Sequence, residues 1–126
     1  VEEGIRLASP VMGLWRVTTT DTELGGHAIS KGSTVFLAYS SANRDETVFA
    51  DPDAFDPLRQ NVKEHLAFGH GIHRCVGARL AELQVGILME EMAKRRMRVN
   101  LIGEPERVSA CFVHGYRQMP VEISRY

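Results

Sequence analysis

The sequence predicts a mixed α+β fold, in which one long helix is set against several short strands and an extended irregular loop. Three observations lead there. Between residues 76 and about 96 apolar side chains recur at helical spacing, and Glu90/Lys94 and Glu91/Arg95 stand in the favourable i,i+4 order. Residues 14–20 (LWRVTTT) and 34–39 (TVFLAY) are rich in β-branched and aromatic side chains, as strands are. From residue 40 to about 77 neither period persists, and Asp, Pro, Asn and Gly recur, as in DPDAFDP and FGHGIH. An irregular stretch of that length in a compact protein is functional or disordered.

Each element has its own local reason. Residues 1–8 have helical character, which Ser9-Pro10 ends because the residue before proline is biased away from the α region. In the first strand Trp15 and Val17 alternate with Arg16 and Thr18, the pattern of a half-buried strand. Gly25-Gly26 and Lys31-Gly32 are turn signals around the short run 27–30. The run 34–39 is almost wholly apolar, as expected of a strand covered on both faces. Phe49, Phe55, Leu58, Leu66 and Phe68 predict that the irregular stretch is ordered and packed. The long helix has too many apolar positions for one stripe (Val76, Leu80, Leu83, Val85, Ile87, Leu88, Met89, Met92), with a mainly charged strip through Arg79, Glu82, Glu90 and Lys94. Such a helix calls for partners on more than one side. The remainder reads as short strands and a hairpin, with 111–113 and 120–123 flanking Gly115, and Cys111 as a buried strand residue.

Composition bounds the function. The chain has 126 residues, is 44% hydrophobic and 25% charged, and carries a formal net charge of −1. That balance offers no basic footprint for nucleic acid or an anionic membrane surface. No apolar run approaches the roughly 18 residues that a membrane span needs. Two cysteines, Cys75 and Cys111, make no disulfide framework, and a reducing, cytoplasmic location is the expectation. The chain lacks an initiator Met and begins in a helical pattern, so it is expected to belong to something longer.

Chemistry concentrates in residues 68–77, FGHGIHRCVG. Cys75 stands at the mouth of the predicted long helix, where free backbone N–H groups and the helix dipole favour a thiolate. A thiolate there is a strong iron ligand, tuned by hydrogen bonds to sulfur. Gly69, Gly71 and Gly77 allow the backbone to approach a large flat ligand. The residues permit this reading without demanding it, since a lone cysteine also serves as a small buried hydrophobe.

The segment resembles the signature of the cytochrome P450 family: Phe, two residues, Gly, any residue, Arg or His, any residue, Cys, any residue, Gly. Phe68, Gly71, His73, Cys75 and Gly77 match its fixed positions. The resemblance implies the C-terminal part of that fold: a clamp helix, small β-sheet, meander, cysteine loop, long helix and terminal hairpin. It extends in order along residues 1–126, the N-terminal part and the distal helix being absent. It implies that Cys75 is the axial ligand to the iron of haem b (iron protoporphyrin IX), that Phe68 and Gly69 lie beside it, and that His73 contacts a propionate. Arg16 matches a strand arginine that binds a propionate in bacterial members, its plain alternative being a solvated strand residue. Glu3-Gly4-Ile5-Arg6 resembles the family's Glu-x-x-Arg, and Arg59 is the candidate third partner of a structural clamp. Residues 42–45 (ANRD) resemble the short helix and turn before the meander, and 11–14 with 113–114 fall where the family contacts substrate.

The function implied is haem-thiolate monooxygenation of a small organic substrate, with NAD(P)H electrons arriving through ferredoxin reductase and ferredoxin. Arg74 and Arg79 are candidates to meet an acidic redox partner. Two other readings remain open. The chain alone is a non-catalytic haem-binding piece, or His65, His70, His73 and Cys75 form a zinc-binding interaction module, although their spacing is not that of a common zinc motif. His27, His65, His70 and His114 otherwise read as surface or loop histidines.

Overall fold

The computed structural model describes residues 1–126. Helix α1 (Glu2–Ala8) has Glu2 and Glu3 in its first turn and Arg6 in its last, the arrangement the helix dipole favours. It ends at Ser9, in the left-handed region at φ 38°, whose N–H returns to the Ile5 carbonyl while its hydroxyl donates to the Arg6 carbonyl at 2.7 Å.

Strands β1 (Leu14–Val17) and β4 (Thr34–Leu37) pair antiparallel, with Arg16 opposite Val35. Between them β2 (Thr22–Leu24) and β3 (His27–Ile29) form a hairpin closed by Gly25-Gly26, at φ 58° and 80°. Positive φ at both central residues is the mirror-image turn that matches strand twist, and glycine adopts it without strain. Two expectations need correction. Trp15 and Val17 lie on the exposed face of β1, and it is Leu14 and Arg16 that are half-buried. Strand β4 is covered on one face only, because Phe36 is exposed and stacks on Trp15 with ring centroids 4.5 Å apart. Within residues 1–126 nothing else covers that second face.

After β4 the chain forms the short helix α2 (Tyr39–Ala42), a long irregular stretch, and single 3₁₀ turns at Val62–Glu64 and Gly71–His73. Phe49 is fully buried, whereas Phe55 and Leu58, expected to pack, are exposed. Helix α3 (Ala78–Lys94) follows, capped at its start by Gly77. Glu91 takes both cations at its end, Lys94 at 3.0 Å and Arg95 at 3.3 Å, so the expected Glu90–Lys94 pair is replaced by an i,i+3 pair. Strand β5 (Met97–Leu101) pairs with β8 (Val121–Arg125), and β6 (Glu106–Arg107) with β7 (Tyr116–Gln118), both antiparallel. Residues 111–113 form no strand beyond one bridge of Val113 to Val11, and Cys111 is exposed, not buried.

The architecture is mixed α+β with four two-stranded antiparallel sheets. Its interior is unusual in being as polar as it is apolar. Tyr39, Phe49, Ala67 and Ala78 are buried together with Glu3, Arg6, Ser9, Asn43 and His65. Every buried side-chain nitrogen and oxygen has a hydrogen-bond partner, which is the condition for such an interior to be stable. No helix is long and apolar enough to cross a membrane.

Candidate functional site

Two buried hubs hold the irregular stretch. The first is built on α1, where residues three apart share a helix face. Arg6, with no exposed surface, donates to both carboxylate oxygens of Glu3, at 2.7 Å and 2.8 Å. It also donates to the carbonyls of Asn43 at 2.6 Å, Pro52 at 2.8 Å and Ala54 at 3.3 Å. Arg59 donates to Glu3 Oε1 at 3.0 Å and to the carbonyl of Ala50 at 2.6 Å. The Phe49 ring lies under both guanidinium groups, 5.0 Å from Arg6 and 6.0 Å from Arg59. The hydrogen bond from Arg6, opposed by burial and helped by the Asp56 amide and Arg59, holds the Glu3 carboxyl down at about 2. Planar, many-donor arginines thus replace a sheet: they bind carbonyls of a segment that has no ladder of its own.

The second hub is Asn43, also without exposed surface. Its amide donates to Ser9 Oγ at 2.9 Å and its Oδ1 accepts from the Leu66 N–H at 2.6 Å. The end of α1 is thereby tied to the approach of the segment 68–77. Residues 42–45, read from sequence as a short helix and turn, supply this hub.

From Leu66 the chain turns into that segment. The Gly69 N–H donates to the Leu66 carbonyl and the Cys75 N–H to the Phe68 carbonyl, both at 2.8 Å. Gly69 is at φ 70° and Gly71 at φ 67°, conformations open to glycine. A Cβ on Gly69 would stand 3.5 Å from the Tyr39 hydroxyl and 3.6 Å from the His73 carbonyl, filling space above the loop. Cys75 is exposed, three residues ahead of α3. The N–H groups of Val76 and Gly77 donate to no other group of the chain, so the backbone beside the sulfur presents unused donors. Gly77 itself has an ordinary φ of −85°, and a Cβ there would meet Cys75 Sγ at an uncrowded 3.8 Å. The loop's own backbone therefore does not require glycine at that position.

The sulfur borders a cavity of about 420 Å³ whose walls include Phe68, Gly69, His73, Val11, and Ala81 and Val85 of α3. A second cavity, of about 720 Å³, is bordered by Arg16, Phe36, Leu66 and His70, and shares Tyr39 and His73 with the first. Arg16 bonds only to the Trp15 carbonyl, at 2.9 Å, and forms no ion pair, leaving most of its donors unused. The structure thus brings Phe68, Gly69, His73 and Cys75 around one cavity, puts Arg16 and His73 on the adjoining one, and keeps Glu3, Arg6 and Arg59 apart as a separate buried cluster. The lining fits an apolar group with an acidic edge: mainly apolar walls, unpaired backbone donors next to Cys75 in the chain, and an arginine without an ion pair on the adjoining cavity.

Sequence reasoning passed over Tyr39, which borders both cavities, and read His65 as a surface or loop residue; it lies in a loop and is buried. Nothing in the local sequence marks either. No group of three or more His, Cys, Asp or Glu side chains converges to hold a metal ion, which removes the geometric basis of a zinc site.

The chain is similar to known proteins over nearly its whole length. Residues 1–97 match the family described as "Cytochrome P450". The chain is 44% identical over 121 residues to linalool 8-monooxygenase of Pseudomonas putida, covering 96% of the chain and 30% of that protein. It is 39% identical over 125 residues to cytochrome P450-terp of a Pseudomonas species, covering 99% of the chain and 29% of that protein. Among solved structures, cytochrome P450-153 from Novosphingobium aromaticivorans superposes with a TM-score of 0.94 at 58% identity, over 98% of this chain and 31% of that one. The chain spans about 30% of the length of the curated relatives it matches.

Proposed function

The chain belongs to the cytochrome P450 family, and from that premise we propose that residues 1–126 are the C-terminal, haem-binding portion of a haem-thiolate monooxygenase. The observation that carries the reading is Cys75: an exposed thiol beside unused backbone donors, at the edge of an apolar cavity shared with Phe68, Gly69 and His73. Cys75 would hold the iron of haem b through its thiolate. The neighbouring N–H groups and the start of α3 would hold its negative charge. Phe68 and Gly69 would pack beside the loop, and Gly77 would leave the sulfur accessible. His73 and Arg16 would hold the propionates, Arg16 through its planar fork. Glu3, Arg6 and Arg59 would serve as a clamp that fixes the loop's approach and take no part in the chemistry.

The chemistry a thiolate-bound haem supplies when present is monooxygenation, in which one atom of O₂ enters a small organic substrate and the other leaves as water. In the whole protein NAD(P)H electrons would arrive through ferredoxin reductase and ferredoxin. Arg74 is exposed and could meet an acidic partner, whereas Arg79 is engaged with Glu82 at 3.2 Å. Charge reversal at Arg74 is expected to slow partner-driven turnover, and an unchanged rate refutes that docking site. A cytoplasmic location is part of the same reading.

The test is an absorption spectrum of the haem-loaded protein, reduced and exposed to carbon monoxide, beside Cys75→Ala. The red-shifted Soret band of thiolate ligation is expected in the parent and absent from the variant. A band unchanged by Cys75→Ala overturns the assignment. A second reading, that the 126-residue chain by itself binds haem without turnover, is favoured by the exposure of the cysteine and of α3. Turnover by the isolated chain with redox partners refutes it.

A further inference from the structure

Leu66 and Ala67, which lead into the cysteine loop, belong to no helix or sheet, so their amides depend on side chains for partners. Asn43 Oδ1 takes the Leu66 N–H. The next amide, of Ala67, donates to Nδ1 of His65 at 3.2 Å. A donor facing Nδ1 requires that nitrogen to be unprotonated, which places the ring proton on Nε2. Nε2 lies 3.1 Å from Glu2 Oε2, so both ring nitrogens are satisfied by one tautomer, and the carboxylate selects it. The His65 side chain is 4% exposed, and its ring tilts against Phe68 with centroids 5.9 Å apart. Phe68 in turn accepts the Cys75 N–H through its carbonyl, at 2.8 Å. A continuous path therefore runs from Glu2 on α1, through the His65 ring and the Ala67 amide, to the backbone of Cys75.

We propose that His65, held as the Nε2–H tautomer by Glu2, is a positioning residue for Cys75, fixing through the Ala67 amide and the Phe68 ring the loop that presents the thiolate. This rests on the reading of Cys75 as the iron ligand. It adds a residue that touches neither the sulfur nor the cavity beside it. The imidazole does what no aliphatic side chain of its size can: it accepts at one end and donates at the other, across a gap that the backbone cannot bridge.

The test uses the haem-loaded, full-length protein. His65→Asn places Oδ1 near the position of Nδ1 and keeps an acceptor for Ala67, but it is too short to reach Glu2. His65→Leu keeps bulk and removes both bonds. In the reduced carbon monoxide complex, His65→Leu is expected to lose the thiolate-type Soret band about fivefold faster than the parent, the scale of one lost hydrogen bond, and His65→Asn to recover most of that lifetime. Independently of any variant, selectively ¹⁵N-labelled histidine should show the His65 ring as the Nε2–H tautomer. A His65→Leu protein that keeps the band as long as the parent overturns the proposal and leaves the Cys75 reading intact. Equal loss in His65→Asn and His65→Leu also overturns it, since ring bulk and not the acceptor would then matter, as does an Nδ1–H tautomer in the parent. A parent protein without any thiolate band overturns the Cys75 reading and this proposal with it.

Discussion

A single carboxylate carries much of the order in the irregular half of the chain. Glu3 is 3% exposed and receives hydrogen bonds from two arginines and the Asp56 amide. Removing one partner from a buried ion pair strands the other, at a cost of about 3–5 kcal/mol. Glu3→Gln is therefore expected to lower the urea midpoint of the chain by an amount that corresponds to this range, and a loss under about 1 kcal/mol would contradict the clamp's structural role. The same residue sets an acid limit. Because its carboxyl is held down at about 2 from the ordinary 4.5, its stabilisation is complete above pH 4.5 and is lost as the pH falls toward 2. The shift corresponds to about 3 kcal/mol. Parent and Glu3→Gln should differ at pH 6 and converge only as the pH falls through about 2, as measured by thermal unfolding at each pH. Cys75 depends on this rigidity indirectly, because the loop that carries it is fastened to α1 through Asn43 and His65.

Among the elements, the β1–β4 pair shows how little space the fold leaves where backbones cross. Gly13 precedes β1, and a Cβ there would overlap the Leu37 carbonyl oxygen and the Phe36 ring. The carbonyl cannot move without breaking the register in which Leu14 faces Leu37. Gly13→Ala is expected to destabilise the chain by about 2 kcal/mol, within the usual range for overpacking. An unchanged unfolding midpoint would mean that the pair slides freely. That register also sets where Arg16 stands, two residues along β1 on the half-buried face, beside the cavity it shares with His73. Helix α3 serves differently. Its Ala81 and Val85, one turn apart, close the wall beyond Cys75, while Leu80, Leu83, Ile87, Leu88 and Met89 remain exposed. Within residues 1–126 the second apolar side of this helix meets no partner.

At the largest scale, residues 1–126 expose 9664 Å², whereas a compact chain of this length exposes roughly 6,700 Å². Much of that excess is apolar, on α3 and on the terminal strands. The isolated chain is expected to bind a hydrophobic dye strongly, and weak binding, at the level of a compact globular protein, would show that these faces are covered. Stability should also be uneven. Native-state hydrogen exchange is expected to be slowest at Leu66 and Ala67, whose partners Asn43 and His65 are buried, and fast in the exposed β2–β3 hairpin. Uniform exchange across both regions would remove the polar interior from its place as the organising core.

Sequence alone determined what depends on neighbours a few residues apart. The helical patterns at 1–8 and 76 to about 96, the Gly25-Gly26 turn, and the glycine-rich loop ahead of the long helix are all local matters of spacing and turn chemistry. The family resemblance, carried by Phe68, Gly71, His73, Cys75 and Gly77, is likewise a short-range pattern. Only the tertiary structure decided which of these pieces meet. It showed that Glu91 and not Glu90 receives Lys94, that Cys111 is exposed, and that the apolar strand β4 has one bare face. Above all it turned His65 from an ordinary loop residue into a buried link between Glu2 and Ala67. The reason is physical. A side chain's polarity and spacing fix what it can bond, but a partner 63 residues away is fixed by how helix and loop pack, and that closure leaves no periodic trace in the sequence.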